Sequence, residues 1–264
     1  MESFLKDKWS LILGASSGFG GATAQRLAES GSNIIGVHFD RKGTMPKVEE
    51  IKENISKHGN KVVFFNVNAA SSEKRADTLK QIREICGEKS IQVFMHSLAF
   101  GNLKNFIEDD SKNQITQAQM EMTLDVMAHS LVYWVQDTFH QNLFSPGASV
   151  YAMTSAGSSR VWRGYGAVSA AKSSLESHCR QLGLELAPHN IAVNAILAGV
   201  TDTPALRKIP GHESMIETAS KKNPFGRLTT PDDVAKAITL LSHPYAEFMT
   251  GNTLYVDGGE NIVE

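Results

Sequence analysis

A short apolar run, Trp9–Leu13, ends in Gly14-Ala15-Ser16-Ser17-Gly18-Phe19-Gly20 and passes directly into a helical pattern with Ala22, Leu27 and Ala28 on its inner side. Three glycines at this spacing, between a strand and a helix, leave few options. Gly14 allows a tight turn, Gly18 lets the backbone approach a ligand, and Gly20 lets the helix lie close to the strand. The first N–H groups of the helix point into the turn and carry a partial positive charge, the setting in which a pyrophosphate is held. A structural glycine turn is the alternative. A strand before it and a helix after it favour a dinucleotide-binding loop that includes Ser16, Ser17 and Phe19.

Further along, Asn33–Phe39, Lys61–Val67, Ile91–Met95, Ser149–Thr154, Asn190–Ile196 and Asn252–Val256 read as strands. Lys47–Lys57, Ser72–Cys86, Ile115–Leu143, a segment opening near Gly164 and Pro231–Leu241 read as helices. The length of 264 residues and the 41% hydrophobic content suffice for one large α/β domain or two small ones. A net charge of −2 argues against nucleic acid or an anionic membrane as the main partner. No apolar run reaches a membrane span, and the opening MESFLKDKWS lacks the apolar stretch of a secretion signal, so a cytoplasmic protein is expected. Cys86 and Cys179 both fall in predicted helices and read as buried thiols in a reducing compartment. No metal site is expected.

The stretch from Ala148 to Ala187 carries the chemistry. Ser155 follows a predicted strand, and Tyr165 and Lys172 lie near the start of a predicted helix. Seven positions are two helical turns, so the phenol and the ammonium leave the same face. Such a pair suits hydride transfer: the lysine holds a sugar and lowers the phenol's pKa, while the phenol hydrogen-bonds a carbonyl oxygen that gains charge. A helix start with an incidental lysine is the alternative, and the rest of the chain weighs against it.

The G-x3-G-x-G turn together with the tyrosine–lysine pair resembles the short-chain dehydrogenase/reductase family, from Trp9 to Gly259. The resemblance implies an α/β, single-domain, Rossmann-like doubly wound parallel sheet with helices on both faces. Residues 1–264 would form one NAD(P)-binding domain, with cofactor and substrate meeting at the C-terminal edge of the sheet.

Three positions depart from an ordinary member of that family. Asn-Asn-Ala-Gly is replaced by His96-Ser97-Leu98-Ala99, Ser97 lying beside the expected cofactor. Met127 falls close to the usual active-site asparagine. Val168 takes the place of the tyrosine in Tyr-x3-Lys and cannot protonate an alkoxide. Tyr165 instead gives Tyr-x6-Lys. These features are similar to the divergent enoyl-[acyl carrier protein] reductase branch, in particular to an NADPH-preferring type with a serine at the position of Ser155. His96 can be read as a catalytic base or as a structural histidine closing a buried strand.

An NAD enzyme usually has an acidic residue at the end of its second strand. His38 stands about there, followed by Asp40, Arg41 and Lys42. Arg41 and Lys42 can pair with a 2′-phosphate, which favours NADPH over NADH, whereas Asp40 could bind a ribose. Asn66-Val67 replaces the family's Asp-Val against the adenine. Gly199-Val200-Thr201-Asp202-Thr203 resembles the nicotinamide loop, with backbone near Val200 on the carboxamide and the Thr203 hydroxyl on a phosphate. Residues 204–223 then read as a substrate lid whose Arg207, Lys208, Lys221 and Lys222 could dock an acidic carrier or simply be solvated.

The resemblance thus implies NADPH-dependent reduction of the trans-2 double bond of an enoyl thioester, on acyl carrier protein or CoA, by a homotetramer. Tyr165, Lys172 and Ser155 would be the catalytic residues. Other readings are reduction of a dienoyl-CoA, a 3-ketoacyl or carbonyl reductase in which Tyr165 takes over the missing tyrosine's work, and a non-catalytic NADP-binding sensor.

Overall fold

The computed structural model describes residues 4–263. Strands and helices alternate along the chain: β1 (Trp9–Leu13), α1 (Gly18–Glu29), β2 (Asn33–His38), α2 (Met45–Ser56), β3 (Val62–Asn66), α3 (Ser72–Cys86), β4 (Ile91–His96), α4 (Gln117–Leu124), α5 (Ser130–His140), β5 (Phe144–Thr154), α6 (Gly166–Leu186), β6 (Ala192–Ala198), α7 (His212–Lys222), α8 (Pro231–Leu241) and β7 (Thr253–Val256). The strands form one seven-stranded sheet in the order β3-β2-β1-β4-β5-β6-β7, with every pairing parallel.

Burial explains the composition of the strands. A parallel sheet covered on both faces favours apolar side chains, and all five residues of β1 are buried, its one polar residue, Ser10, being hydrogen-bonded to Ser32 at 2.7 Å. The edge strands β3 and β7 are only partly covered. One face of the sheet is covered by α1, packed between α2 and α8, and the other by α3, α5 and α6. The inner side of α1 is Gly20, Gly21, Thr23, Ala24, Leu27 and Ala28. Ala22 is only partly buried.

The strand order reverses between β1 and β4, which opens a crevice at their carboxyl ends. Gly14, Ser97, Ser155 and Gly199 follow β1, β4, β5 and β6, so one edge of the sheet gathers most of the residues singled out above.

The single helix expected over 115–143 is in fact α4, a five-residue π turn (Asp125–His129) and α5. A Thr116–Gln119 capping box starts α4 at Gln117. The π turn brings Met127 and Ala128 inward, and the Ser130 hydroxyl donates to the Val126 carbonyl at 2.8 Å. β5 starts earlier than expected, at Phe144. Its register against β4 shifts between Ile91 and Val93, which absorbs Pro146 and Gly147 at the edge. Cys179 is buried and Cys86 half-buried, both as free thiols. Among the described residues no helix is long and apolar enough to cross a membrane.

Trp134 on α5 is fully buried, and its indole N–H donates to the Ala69 carbonyl at 2.8 Å. Trp134→Ala therefore leaves a cavity and an orphaned carbonyl, and is expected to cost about 3–5 kcal/mol. Urea denaturation checks this; an unmoved midpoint would contradict the packing described.

Candidate active site

The phosphate-binding loop is shaped by contacts that exclude side chains. Gly14 (φ +89°) lies under the Ser97 carbonyl, and a methyl group there would collide with it. Gly20 lies equally tightly against the Gly14 carbonyl. The Gly14 N–H donates to the Val37 carbonyl at 2.8 Å, and Ser97 N–H to Leu13 at 2.9 Å, so β1, β2 and β4 are locked together at this edge. Ser17 caps α1 with its backbone only; its side chain makes no cap hydrogen bond, which leaves the first helical N–H groups open towards an anion. Gly18 (φ +54°) faces Thr203 across the crevice, with 3.8 Å between a would-be Cβ and the Thr203 methyl.

At the end of β2, His38 is buried and its Nδ1 lies 3.0 Å from Asp40 Oδ2. Burial pushes the Asp40 carboxyl up, but hydrogen bonds from Ser16, Thr44 and His38 outweigh it and hold the group below the usual carboxylate range. Asp40 is thus engaged within the protein. So is Asn66: its amide donates to the Asp40 carbonyl and accepts from the Asp40 N–H, both at 3.0 Å. Val67 N–H donates to the His38 carbonyl. Arg41 and Lys42 are exposed.

Lys172 is buried on α6, and its Nζ donates to the Met153 carbonyl at 2.6 Å. Burial brings its pKa down to about 8, with Cys179 and Glu176 pulling the other way. Tyr165 is the N-cap residue of α6, and its hydroxyl lies 3.5 Å from Ser155 Oγ. Burial pushes the phenol up, with Ser155 alone opposing it. The expectation that Lys172 lowers this phenol's pKa is therefore corrected: the ammonium is turned to the Met153 carbonyl, and Tyr165 keeps its proton. A neutral phenol is what a hydrogen-bond donor to a developing oxyanion must be.

Two residues absent from the sequence reading hold the phenol. The Trp162 ring meets Tyr165 edge-on, with centroids 5.7 Å apart. On Gly157 a Cβ would come within 2.5 Å of Tyr165 Cε1. Beneath, Met127 and Val168 are both buried, and they meet at Gly101, whose would-be Cβ lies 2.9 Å from Met127 Sδ and 3.0 Å from Val168 Cγ2. Both positions at which the family usually has a polar group are apolar here and, with the Thr123 methyl 2.7 Å from the would-be Cβ, form one apolar floor around Gly101.

His96 is fully buried. Ser130 donates its proton to Val126, so Nε2–H of His96 donates to Ser130 Oγ at 2.8 Å, and Nδ1 has no partner among the described residues. Burial, then the Lys172 charge, bring its pKa to about 3. Of its two readings, catalytic base and structural histidine, this geometry fits the structural one.

In the loop after β6, Gly199 N–H donates to Val256, and the Thr201 hydroxyl to the Gly199 carbonyl at 2.9 Å. Thr203 Oγ1 accepts from Leu206 N–H. The Val200 N–H is taken by Glu260 Oε2 at 3.0 Å, a contact the sequence reading missed. In the segment 204–223, Arg207 forks onto Asp202 at 2.7 and 2.8 Å and Lys221 pairs with Glu217 at 2.6 Å, so part of its positive charge is neutralised locally.

Fold and site together define a dinucleotide-binding oxidoreductase scaffold. A family model described as enoyl-(acyl carrier protein) reductase matches residues 14–261. The chain is 31% identical over 243 residues to the enoyl-[acyl-carrier-protein] reductase [NADH] FabI of Nostoc sp., covering 91% of this chain and 90% of that one. It is 28% identical over 255 residues to the 3-oxoacyl-[acyl-carrier-protein] reductase FabG of Pseudomonas aeruginosa, covering 97% and 98%. The crystal structure of an enoyl-[acyl-carrier-protein] reductase (NADH) from Aquifex aeolicus superposes with a TM-score of 0.83 over 98% of both chains at 24% identity, a likeness of fold. The chain belongs to the short-chain dehydrogenase/reductase family, in its enoyl-(acyl carrier protein) reductase-like branch, and is an oxidoreductase using a nicotinamide cofactor.

His96 is expected to stay neutral throughout pH 5–9, as read by imidazole NMR shifts. Its folded-state pKa lies below the unfolded value, so the stability it contributes is complete above about pH 6.5 and is lost as pH falls towards about 3. Titration of His96 near pH 6.5 in the folded protein would contradict its burial.

Proposed function

We propose that this protein reduces the trans-2 double bond of enoyl thioesters, carried on acyl carrier protein or CoA, with NADPH. The observation that carries this reading is the apolar floor of Met127, Val168 and Gly101. Alcohol–ketone chemistry at the family's usual position needs a proton donor there, and a valine and a methionine supply none. Tyr165 lies seven positions ahead of Lys172 and keeps its proton through burial, which suits stabilising an enolate oxygen.

The residues present fit the cofactor. Two loops face each other at Gly18 and Thr203, the α1 N-terminus is open to phosphates, and buried Lys172 has ammonium protons beyond the one given to Met153. When bound, NADPH would supply a hydride to C3 of the enoyl thioester, and C2 would then take its proton from solvent water. Lys172 then holds the ribose hydroxyls and keeps positive charge beside the thioester. Tyr165 donates to the thioester oxygen as charge develops there, an interaction stronger in the transition state than in the ground state. Ser155, within reach of the phenol, orients it or the acyl group. Trp162 shields the ring.

Asp40 is held by Ser16, Thr44 and His38, which leaves exposed Arg41 and Lys42 to meet a 2′-phosphate and supports NADPH. The segment 204–223 serves as the substrate lid of a single catalytic domain. Exposed Tyr133 and Leu184, on α5 and α6, support a homotetramer, and the protein works in the cytoplasm. A second reading, 3-oxoacyl reduction, is favoured by the Pseudomonas relative and requires Tyr165 to give up its proton.

Tyr165→Phe is expected to lower kcat with a crotonyl thioester about ten- to a thousand-fold while NADPH affinity stays the same. Lys172→Ala is expected chiefly to weaken NADPH binding. Unchanged turnover in the first, or an unaltered Kd in the second, would refute the assigned role. Arg41→Ala is expected to raise the KM for NADPH by about ten-fold and to leave that for NADH alone, since a charge-assisted phosphate contact is lost. Equal effects on both cofactors would assign Arg41 to something other than the 2′-phosphate.

A further inference from the structure

The C-terminal turn after β7 touches the parts of the site that come from distant stretches of chain. Asp257 builds the turn: its carboxylate accepts the N–H groups of Gly259 at 3.0 Å and Asn261 at 2.9 Å. Its carbonyl accepts from the Asn223 amide, at the end of the lid segment, at 2.8 Å. From this turn Glu260 reaches back to the loop after β6, where Oε2 accepts the Val200 N–H at 3.0 Å. The fit is close, because a Cβ on Gly199 would lie 2.8 Å from that same oxygen and would strike the Thr229 hydroxyl. Asn261 receives the Arg160 guanidinium on its side-chain oxygen at 2.7 Å and on its carbonyl at 3.3 Å, and Arg160 lies in the loop between Ser155 and Tyr165.

We propose that Glu260 is a positioning residue for the nicotinamide end of the cofactor. Its carboxylate fixes the loop 199–203 in the shape that receives the carboxamide, and the Arg160–Asn261 contact ties that loop to the segment carrying Tyr165. This rests on the reading of 199–203 as the nicotinamide loop. A peptide N–H facing a half-buried space needs an acceptor, and a charged one holds it firmly. With Val200 N–H bound to Glu260, the next peptide N–H, that of Thr201, has no acceptor among the described residues and is left for a ligand. Burial pushes the Glu260 carboxyl up and Asp257 adds to this, while the Val200 N–H, then Arg160 and Lys222, oppose it. Because Asp257 and not Glu260 shapes the turn, replacing Glu260 removes the latch and keeps the turn.

The test measures Kd for NADPH and for adenosine 2′,5′-bisphosphate, which has the adenosine end of NADPH and no nicotinamide. Full-length wild type, Glu260→Ala and Glu260→Gln are compared. Glu260→Ala is expected to weaken NADPH about ten-fold or more, the scale of one hydrogen bond to a charged group, and to leave the bisphosphate unaffected. Glu260→Gln keeps an acceptor oxygen and is expected to restore most of the affinity. Arg160→Ala, which frees the turn from the other side, is expected to weaken NADPH in the same direction and serves if Glu260→Ala does not fold. NADPH affinity unchanged in Glu260→Ala, or both ligands weakened alike, overturns the latch alone. Wild-type protein that binds the bisphosphate and neither NADPH nor NADH overturns the loop assignment and the latch with it.

Discussion

The Ser97 carbonyl closes over Gly14, and the Gly14 carbonyl closes over Gly20. These two contacts bring the ends of β1 and β4 and the start of α1 within van der Waals reach, with no room for a side chain at either glycine. The crevice at the strand-order reversal inherits its floor from them. With that edge fixed, the loops after β5 and β6 rise on one side of it and the turn after β2 on the other. The cofactor end of the site is thus a consequence of backbone packing, and side chains refine it.

The reacting end follows a different rule. Lys172 is buried and donates to the Met153 carbonyl, and half-buried Tyr165 meets Trp162 edge-on and packs against Gly157. Around them the polar groups of an ordinary member have become Met127 and Val168. Burial keeps the phenol protonated, and an apolar floor strengthens the electrostatic interactions near it. It also removes the second polar partner that would hold a water or an alkoxide. The remaining polar groups are Tyr165, Lys172 and Ser155, to which the proposed function assigns the oxyanion and the sugar.

Much of this was legible in the sequence. The glycine spacing, the apolar strands and the seven-residue separation of Tyr165 and Lys172 are local patterns, and the structure places them at one edge of the sheet. The π turn at Asp125–His129 was not legible, because a bulge inside a long amphipathic run leaves its periodicity almost intact. Partners distant in the chain were equally hidden. Asp40 and Asn66 engage each other across 26 positions, and Glu260 reaches Val200 across 60. A neighbouring ammonium, taken alone, lowers a phenol's pKa. In the folded chain burial is the larger influence.

The proposal of alkene reduction rests on the replacement of polar groups by the Met127–Val168 floor. The most direct measurement follows NADPH absorbance with purified protein and a crotonyl thioester, alongside an acetoacetyl thioester at equal concentration. Oxidation with the crotonyl thioester and none with the acetoacetyl is the predicted result. Oxidation with the acetoacetyl thioester alone would mean that Tyr165 performs alcohol chemistry above an apolar floor, and would contradict the assignment of this site to alkene reduction.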